Sequence, residues 1–353
     1  MYSPRYLVLS LMCLVALVGC NRDATPPAES GQLELKNTAA TVSGETPPGF
    51  FDTWLTMSRI AQIPTQDHPE WENLKFQDTA TLKLSNLSAE EPLYVNRLAL
   101  DTGAFMLNEP PQLPLEIAPE ASFDLTVKFV ASQGERGVRL GVLEVASSGG
   151  TSQVQLAGVF MREPEGNDEI SLQQIVDAFG YTTDIGLENE RLSEKPTSPP
   201  AGDEVRAPFW ERADSEKEVY VREIATYHGC CDEENFIELR ARDGTSIGQF
   251  FHAASYAQSV LPLITGETGP AEMSVTPTSP FEIIIGAEGD SYSTDTEGNL
   301  GVRLWPVKGP NGEVVANAYI VAEDYVQNGC GEGNANCDYQ DNVFLITNIQ
   351  PTQ

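Results

Sequence analysis

Thr79-Ala80-Thr81-Leu82-Lys83-Leu84-Ser85 alternates polar and apolar side chains with a period of two, the repeat of a strand with one buried face and one wet face. The alternation returns in Leu93-Tyr94-Val95-Asn96-Arg97-Leu98-Ala99-Leu100 and in Ser122-Phe123-Asp124-Leu125-Thr126-Val127-Lys128-Phe129. Runs from Val138 to Val145 and from Gln153 to Val159 complete the series. Short alternating runs separated by turn formers predict an antiparallel β-sandwich of immunoglobulin type over residues 72–161.

Downstream, strand-like runs recur at Val219 to Ala225, Phe236 to Leu239, Phe281 to Ile285, Gly301 to Pro306, Ala318 to Ala322 and Asn342 to Asn348, with Asp-Gly, Asn-Gly and Glu-Gly steps between them. They predict a second β-sandwich, of jelly-roll type, over 165–351. At the joint, Asp168 or Ser171 can cap a short helix that places Leu172, Ile175, Val176 and Phe179 on one face and stops at Gly180. Residues 188–202 mix Glu, Lys, Ser and Pro without periodicity and read as an exposed or flexible insertion. The fold class is therefore all-β, two sandwiches with a short linking helix.

Ahead of both domains, Arg5 precedes an apolar run from Tyr6 to Val18 that is too short for the roughly 20 residues of a membrane span. It reads as the core of a signal peptide, residues 1–19. Leu17-Val18-Gly19-Cys20 resembles the bacterial lipobox, and the resemblance implies lipidation at Cys20 and a membrane partner reached through that lipid. With Asn21 rather than Asp after the cysteine, it implies the outer membrane, on its periplasmic or cell-surface face. Residues 20–48 hold few large apolar side chains, which predicts a disordered tether.

Fifty-two acidic residues against 21 basic ones give a formal net charge of -31, which argues against nucleic acid and against anionic lipid headgroups as partners, both of which would repel the field. The excess fits divalent cations, a cationic partner, or solubility in a salty habitat. After Cys13 leaves with the signal and Cys20 takes the lipid, Cys230, Cys231, Cys330 and Cys337 remain, an even number in an oxidising compartment. Cys330 and Cys337 close a short Gly- and Asn-rich loop and are the first choice for a disulfide. Cys230 and Cys231 then form a vicinal disulfide, or each pairs with one of the distant two. Zinc is the weaker rival, because neither pair has the CxxC spacing and only His228 lies near.

Two resemblances sharpen this. Leu84-Ser85-Asn86-Leu87, Phe105, Ile117-Ala118-Pro119 and the closing Val154-Gln155-Leu156-Ala157-Gly158 resemble the abnormal-spindle and hydin type (choice-of-anchor D) immunoglobulin-like domain, which implies a spacer or interaction module without catalytic residues. Phe129-Val130-Ala131 departs from that family's Phe-x-Pro. Ala207-Pro208-Phe209-Trp210, Tyr227-His228-Gly229-Cys230-Cys231, Gly301 to Pro306, Asp324-Tyr325 and Asp338-Tyr339-Gln340-Asp341-Asn342 resemble a C-terminal module of bacterial secreted and surface proteins, some of them carbohydrate-associated. Gln340 stands where copies of that module often carry Asn.

The densest oxygen cluster is Glu323, Asp324, Asn334, Asn336, Asp338, Asp341 and Asn342. Calcium takes six to eight hard oxygens, so Asp324, Asn336, Asp338, Asp341 and Asn342 are candidate calcium ligands. The plainer alternative is a solvated acidic loop whose aspartates cap backbone amides. Trp210, Tyr227, Trp305 and Tyr325 are candidates for stacking on a sugar. With three histidines and no Gly-x-Ser-x-Gly, His-Glu-x-x-His or phosphate loop, no catalytic residue is assigned. The expected function is a non-enzymatic surface lipoprotein, an adhesion or carbohydrate and matrix-binding module with a glycan or protein ligand outside the cell. A polysaccharide-processing enzyme and a purely structural envelope lipoprotein are the alternatives.

Overall fold

The computed structural model describes residues 31–42, 44–62, 77–164, 170–186, 199–227, 234–253, 258–263, 269–286, 290–293, 300–324 and 337–352. The first sandwich is built from β1 (Leu33–Asn37), β2 (Trp54–Ile60), β3 (Thr79–Asn86), β4 (Leu93–Leu100), β5 (Phe105–Asn108), β6 (Leu115–Ile117), β7 (Ser122–Phe129), β8 (Gly137–Ser147) and β9 (Gly150–Met161). One sheet runs β1-β3-β7-β5 and the other β2-β9-β8-β4-β6. The alternation seen in the sequence is the alternation observed: Ala80, Leu82 and Leu84 of β3 and Leu125, Val127 and Phe129 of β7 face Leu55, Met57, Leu143, Val145, Val154 and Leu156 across the gap. Burying each aliphatic side chain is worth about 1.5–3 kcal/mol. At Gly158 of β9 an added Cβ would meet the Phe129 ring at 2.3 Å, so that ring packs where only glycine leaves room.

Two boundaries differ from expectation. Residues 31–48 do not belong to a tether: β1 pairs antiparallel with β3, Leu33 opposite Asn86 and Asn37 opposite Leu82, and buries Leu35 in the core. A 3-10 turn over Thr38–Ala40 follows, with the Ala39 N–H donating to the Asn37 side chain at 3.0 Å. β2 then crosses to the other sheet and pairs parallel with β9 from Trp54 opposite Gln155 to Ile60 opposite Met161. The first sandwich thus takes in β1 and β2, both upstream of residue 72. A strand of five residues set among polar neighbours leaves little mark on composition.

The helix α1 (Leu172–Ala178) is capped by Ser171 through a reciprocal box with Gln174, and Gly180 ends it at φ 77°. Its last carbonyl, that of Ala178, accepts from Trp54 Nε1 at 2.8 Å and from Thr56 Oγ1 at 2.9 Å, so the first sandwich completes the helix end.

The second sandwich uses β10 (Trp210–Arg212), β11 (Val219–Thr226), β12 (Glu234–Ala241), β13 (Ser246–Ala253), β14 (Ser259–Val260), β15 (Glu272–Val275), β16 (Phe281–Gly286), β17 (Asp290–Tyr292), β18 (Val302–Lys308), β19 (Val314–Glu323), β20 (Asn342–Thr347) and β21 (Ile349–Pro351). One sheet runs β13-β12-β16-β10-β21 with β17 beside β16, the other β14-β11-β20-β19-β18 with β15 beside β11. The pairings are antiparallel throughout both sheets. Val219, Val221, Val321, Phe344 and Ile346 meet Trp210, Ile237, Leu239, Phe281, Ile283 and Ile285 between them.

A third apolar layer joins the sandwiches. Ile60, Ala157, Val159 and Met161 from the outer face of β2 and β9 pack with α1 against Ile224, Trp305, Ile320, Ala322, Val343 and Leu345 of the second sandwich. Ser58 Oγ lies 3.0 Å from Ser259 Oγ and accepts from the Val260 N–H at 3.2 Å, so the edges of β2 and β14 also meet. The free edge of β18 is covered: the Val205 N–H donates to the Leu304 carbonyl at 2.8 Å and the Thr182 N–H to that of Lys308 at 2.9 Å. Four sheets therefore stack in one body, with sheet β1-β3-β7-β5 at one extreme.

Candidate functional site

The residues singled out as a calcium cluster gather where β19 ends and β20 begins. Glu323 lies opposite both Val302 and Asn342, and along β19 it follows Tyr319 and Val321 on the face turned to the second sandwich's core. Glu323 is fully buried, Asp324 and Asn342 nearly so, and Asp338 and Asp341 are 8% exposed. Asn342 Nδ2 donates to Glu323 Oε2 at 2.8 Å, and Thr226 Oγ1 donates to Asn342 Oδ1 at 3.4 Å. Asp324 Oδ2 accepts from the Tyr339 N–H at 3.2 Å, and Asp338 Oδ2 accepts from Gln340 Nε2 at 3.2 Å. The Asp341 carbonyl accepts from the Tyr227 N–H at 3.0 Å.

Ser291 of β17 closes the cluster from the facing sheet. Its Oγ lies 3.1 Å from Glu323 Oε1 and 3.0 Å from the main-chain oxygen of Asp324. The Ser291 hydroxyl is the donor to both, one proton shared between the carboxyl and the main-chain oxygen. Burial pushes the Glu323 carboxyl up and the neighbouring Asp324 charge adds to the rise, while the hydrogen bonds from Asn342 and Ser291 pull it down, leaving it at about 8. Glu323 is thus a neutral acid at neutral pH, held in a polar plug at the end of the sandwich.

The segment that returns to β20 is tightly held. Cys337 and Tyr339 sit at φ 60° and 59°, a left-handed conformation that non-glycine residues adopt at a cost. Tyr339 is fully buried, donates its hydroxyl to the Leu300 carbonyl at 2.7 Å, and has the Arg303 guanidinium 5.0 Å from its ring centre. Arg303 is buried too, with Nε 3.3 Å from Glu204 Oε1, and desolvation lowers its pKa. Glu204 also takes Arg206 Nε at 2.8 Å. Cys337 is fully buried and disulfide-bonded, and no other cysteine lies among the described residues.

Among the described residues, no three His, Cys, Asp or Glu side chains group to hold a metal ion. Asn336, the remaining candidate ligand, lies outside the described residues, as do Cys20, Cys230, Cys231, Cys330 and Tyr325. The stacking candidates are corrected. Trp210, Tyr227 and Trp305 are all buried, so none offers a ring face to a sugar. Trp210 packs edge-on to Tyr319 at 4.8 Å, and Trp305 Nε1 donates to the Ala201 carbonyl at 3.0 Å. Burial also pushes the Tyr227 hydroxyl above its ordinary pKa. Ser291 and Glu204 carry no mark in the sequence, and Arg303 stands out there only within the Gly301 to Pro306 run. The available signal was a charge inside an apolar run, Val302-Arg303-Leu304-Trp305.

Neither a protein-family model nor a curated protein matches this chain. Among solved structures it is similar to the Salmonella enterica SafA pilin in complex with the SafB chaperone, at 11% identity over 81% of this chain and 94% of that one, with a TM-score of 0.23. It is similar to the Pseudomonas aeruginosa CupB2 chaperone at 12% identity over 62% and 95%, TM-score 0.22. The secreted serine protease VesC from Vibrio cholerae follows at 8% identity over 84% and 50%, TM-score 0.21. Likeness at that level carries no argument about activity or partner.

Proposed function

We propose that this chain is an exported lipoprotein, anchored through Cys20 at the outer membrane, that works without catalysis as an adhesion or matrix-binding module of the cell envelope. The observation that carries the reading is the continuous stack of four sheets with an apolar layer between the sandwiches. The anchor precedes β1 in the first sandwich, so the second is held out at a fixed separation, as a presenting module requires. The carboxylates at the end of that sandwich are buried and engaged with main-chain and amide groups, which suits a structural plug better than a substrate cleft. Burial of Trp210, Tyr227 and Trp305 takes three of the four stacking candidates out of reach of a sugar, so within this reading a protein or matrix surface is favoured over a glycan. Calcium remains part of the proposal as a stiffener of the 324–342 region. It would have to draw on oxygens from residues 325–336.

The test is to express the full chain on bacterial cells, label them with palmitate, and measure adhesion to immobilised matrix proteins and glycans with and without calcium. Reducing ends released from the glycans are measured in the same wells. Palmitate incorporation lost in Cys20→Ser, together with adhesion and no released sugar, is the expected result. Sugar release by the chain would replace this reading with the polysaccharide-processing enzyme.

A further inference from the structure

Among the described residues, nothing of the stack lies beyond the outer face of sheet β1-β3-β7-β5, because the apolar layers all lie on its other side. Leu35, Leu82, Leu84, Leu125 and Val127 point inward, so the alternation turns Glu34, Lys36, Lys83, Asp124 and Lys128 outward. Three lysines against two carboxylates make this face slightly basic in a chain of net charge -31, and they are three of only seven lysines in the sequence. The neighbouring Asp78 is balanced, with Lys128 Nζ at 3.5 Å and Arg59 Nη1 at 3.2 Å.

Lys36 stands directly opposite Lys83 in the β1–β3 register. Like charges in that position oppose each other at short range and destabilise a sheet. Asp124 sits beside Lys83 on the other flank, and Lys36 Nζ is 3.9 Å from Glu34, which leaves the lysine pair only partly countered. An anion laid across the face would relieve it. β1 is also the first strand after the lipidation site: Leu33 follows Cys20 by 13 residues. That span reaches at most about 45 Å fully extended.

The geometry points to this face as the surface that lies against the membrane, with Lys36, Lys83 and Lys128 contacting the phosphates of anionic lipid headgroups. The inference rests on the lipid-anchor reading. The rest of the chain is repelled by the same headgroups, so charge orients the body with the second sandwich outward. With sheets packed about 10 Å apart, the outermost sheet then stands on the order of 30 Å farther from the bilayer than the lysine face.

Lysine footprinting tests it on the full lipidated chain. The protein is reconstituted into vesicles of phosphatidylcholine alone or mixed with phosphatidylglycerol, acetylated briefly, and read by mass spectrometry. Lys36, Lys83 and Lys128 are expected to lose about fivefold in reactivity in the anionic vesicles, the factor equivalent to the ~1 kcal/mol a lysine gains near an anionic surface. Lys217 and Lys308, in the second sandwich, should not change. A triple Lys36→Glu, Lys83→Glu, Lys128→Glu chain should still float with the vesicles and lose the selective protection of its face, read by hydrogen exchange of β3 and β7. Protein that floats with all lysines equally reactive in both vesicles overturns the orientation alone. Protein that fails to float overturns the anchor and the orientation with it.

Discussion

In the first sandwich, β3 and β7 send their charged side chains to solvent and their apolar ones to the core, whereas β11, β18 and β19 of the second carry Arg222, Glu223, Arg303 and Glu323 into the protein. The cause is position in the stack. Sheet β1-β3-β7-β5 is covered on one face. Sheet β14-β11-β20-β19-β18 is covered on both, by the apolar layer between sandwiches and by its own core. Each residue of β11 and β20 is buried. A sheet buried on both faces has no wet side on which polar residues can alternate, and its charges must find partners inside.

Four substitutions probe the difference between the two sheets, ordered by how much stability each should change. Glu204→Gln strands the buried Arg303 guanidinium beside Arg206 and should cost about 3–5 kcal/mol in chemical denaturation. Arg303→Met in the same chain should recover much of that loss. Loss below 1 kcal/mol would mean that Arg303 has another counter-charge.

Ile320→Ala, in the layer between sandwiches, should cost about 2–5 kcal/mol. It should lower hydrogen-exchange protection in β9 of the first sandwich as well as in β20. Leu82→Ala removes a similar side chain from the first core and should act mainly there. If Ile320→Ala leaves β9 untouched, the two sandwiches are not one cooperative unit.

Glu323 gives the third. Its folded pKa lies above the ordinary 4.5, so the folded chain keeps a proton that the unfolded chain loses. The stabilising contribution is complete below about pH 4.5 and is lost as pH rises through about 8, at roughly 1 kcal/mol per pH unit from this group. Glu323→Gln should flatten that part of the stability profile, and an unchanged slope would assign it elsewhere. Last, Arg97→Ala removes an ion pair with Glu144 on the first sandwich's exterior, where Arg97 is 62% exposed. It should shift stability by less than about 0.5 kcal/mol.

The same contrast explains what could be read from the chain beforehand. Thr79–Ser85 and Ser122–Phe129 announce their strands and faces because one side of each is wet. The Ser171 cap, the Leu172-Ile175-Val176-Phe179 stripe and the Gly180 stop announce the helix for the same reason, being local. Asn342 to Asn348 announces a strand and hides which face is which. β1 went unread because five residues offer barely two periods, and β2 because parallel pairing with β9 buries Leu55 and Met57 on one side and Thr56, Ser58 and Ile60 on the other. At the candidate site the sequence located the acidic cluster through Asp324, Asp338 and Asp341. It gave no sign of Ser291, since a serine two strands away in the chain acquires its role only when β17 faces β19.

The parallel strand β2 has a mechanical consequence. In the proposed lipoprotein, a pull on Cys20 would reach the described body at β1, which is held to β3 from Leu33 to Asn37. Should that edge strand yield, tension passes to β2, where a parallel register of seven residues on β9 takes it up at the junction with the second sandwich. The described part of the connection between the sandwiches is itself packed, with α1 in the apolar layer and Val205 on the edge of β18. A load on one sandwich therefore passes to the other through the apolar layer that both share.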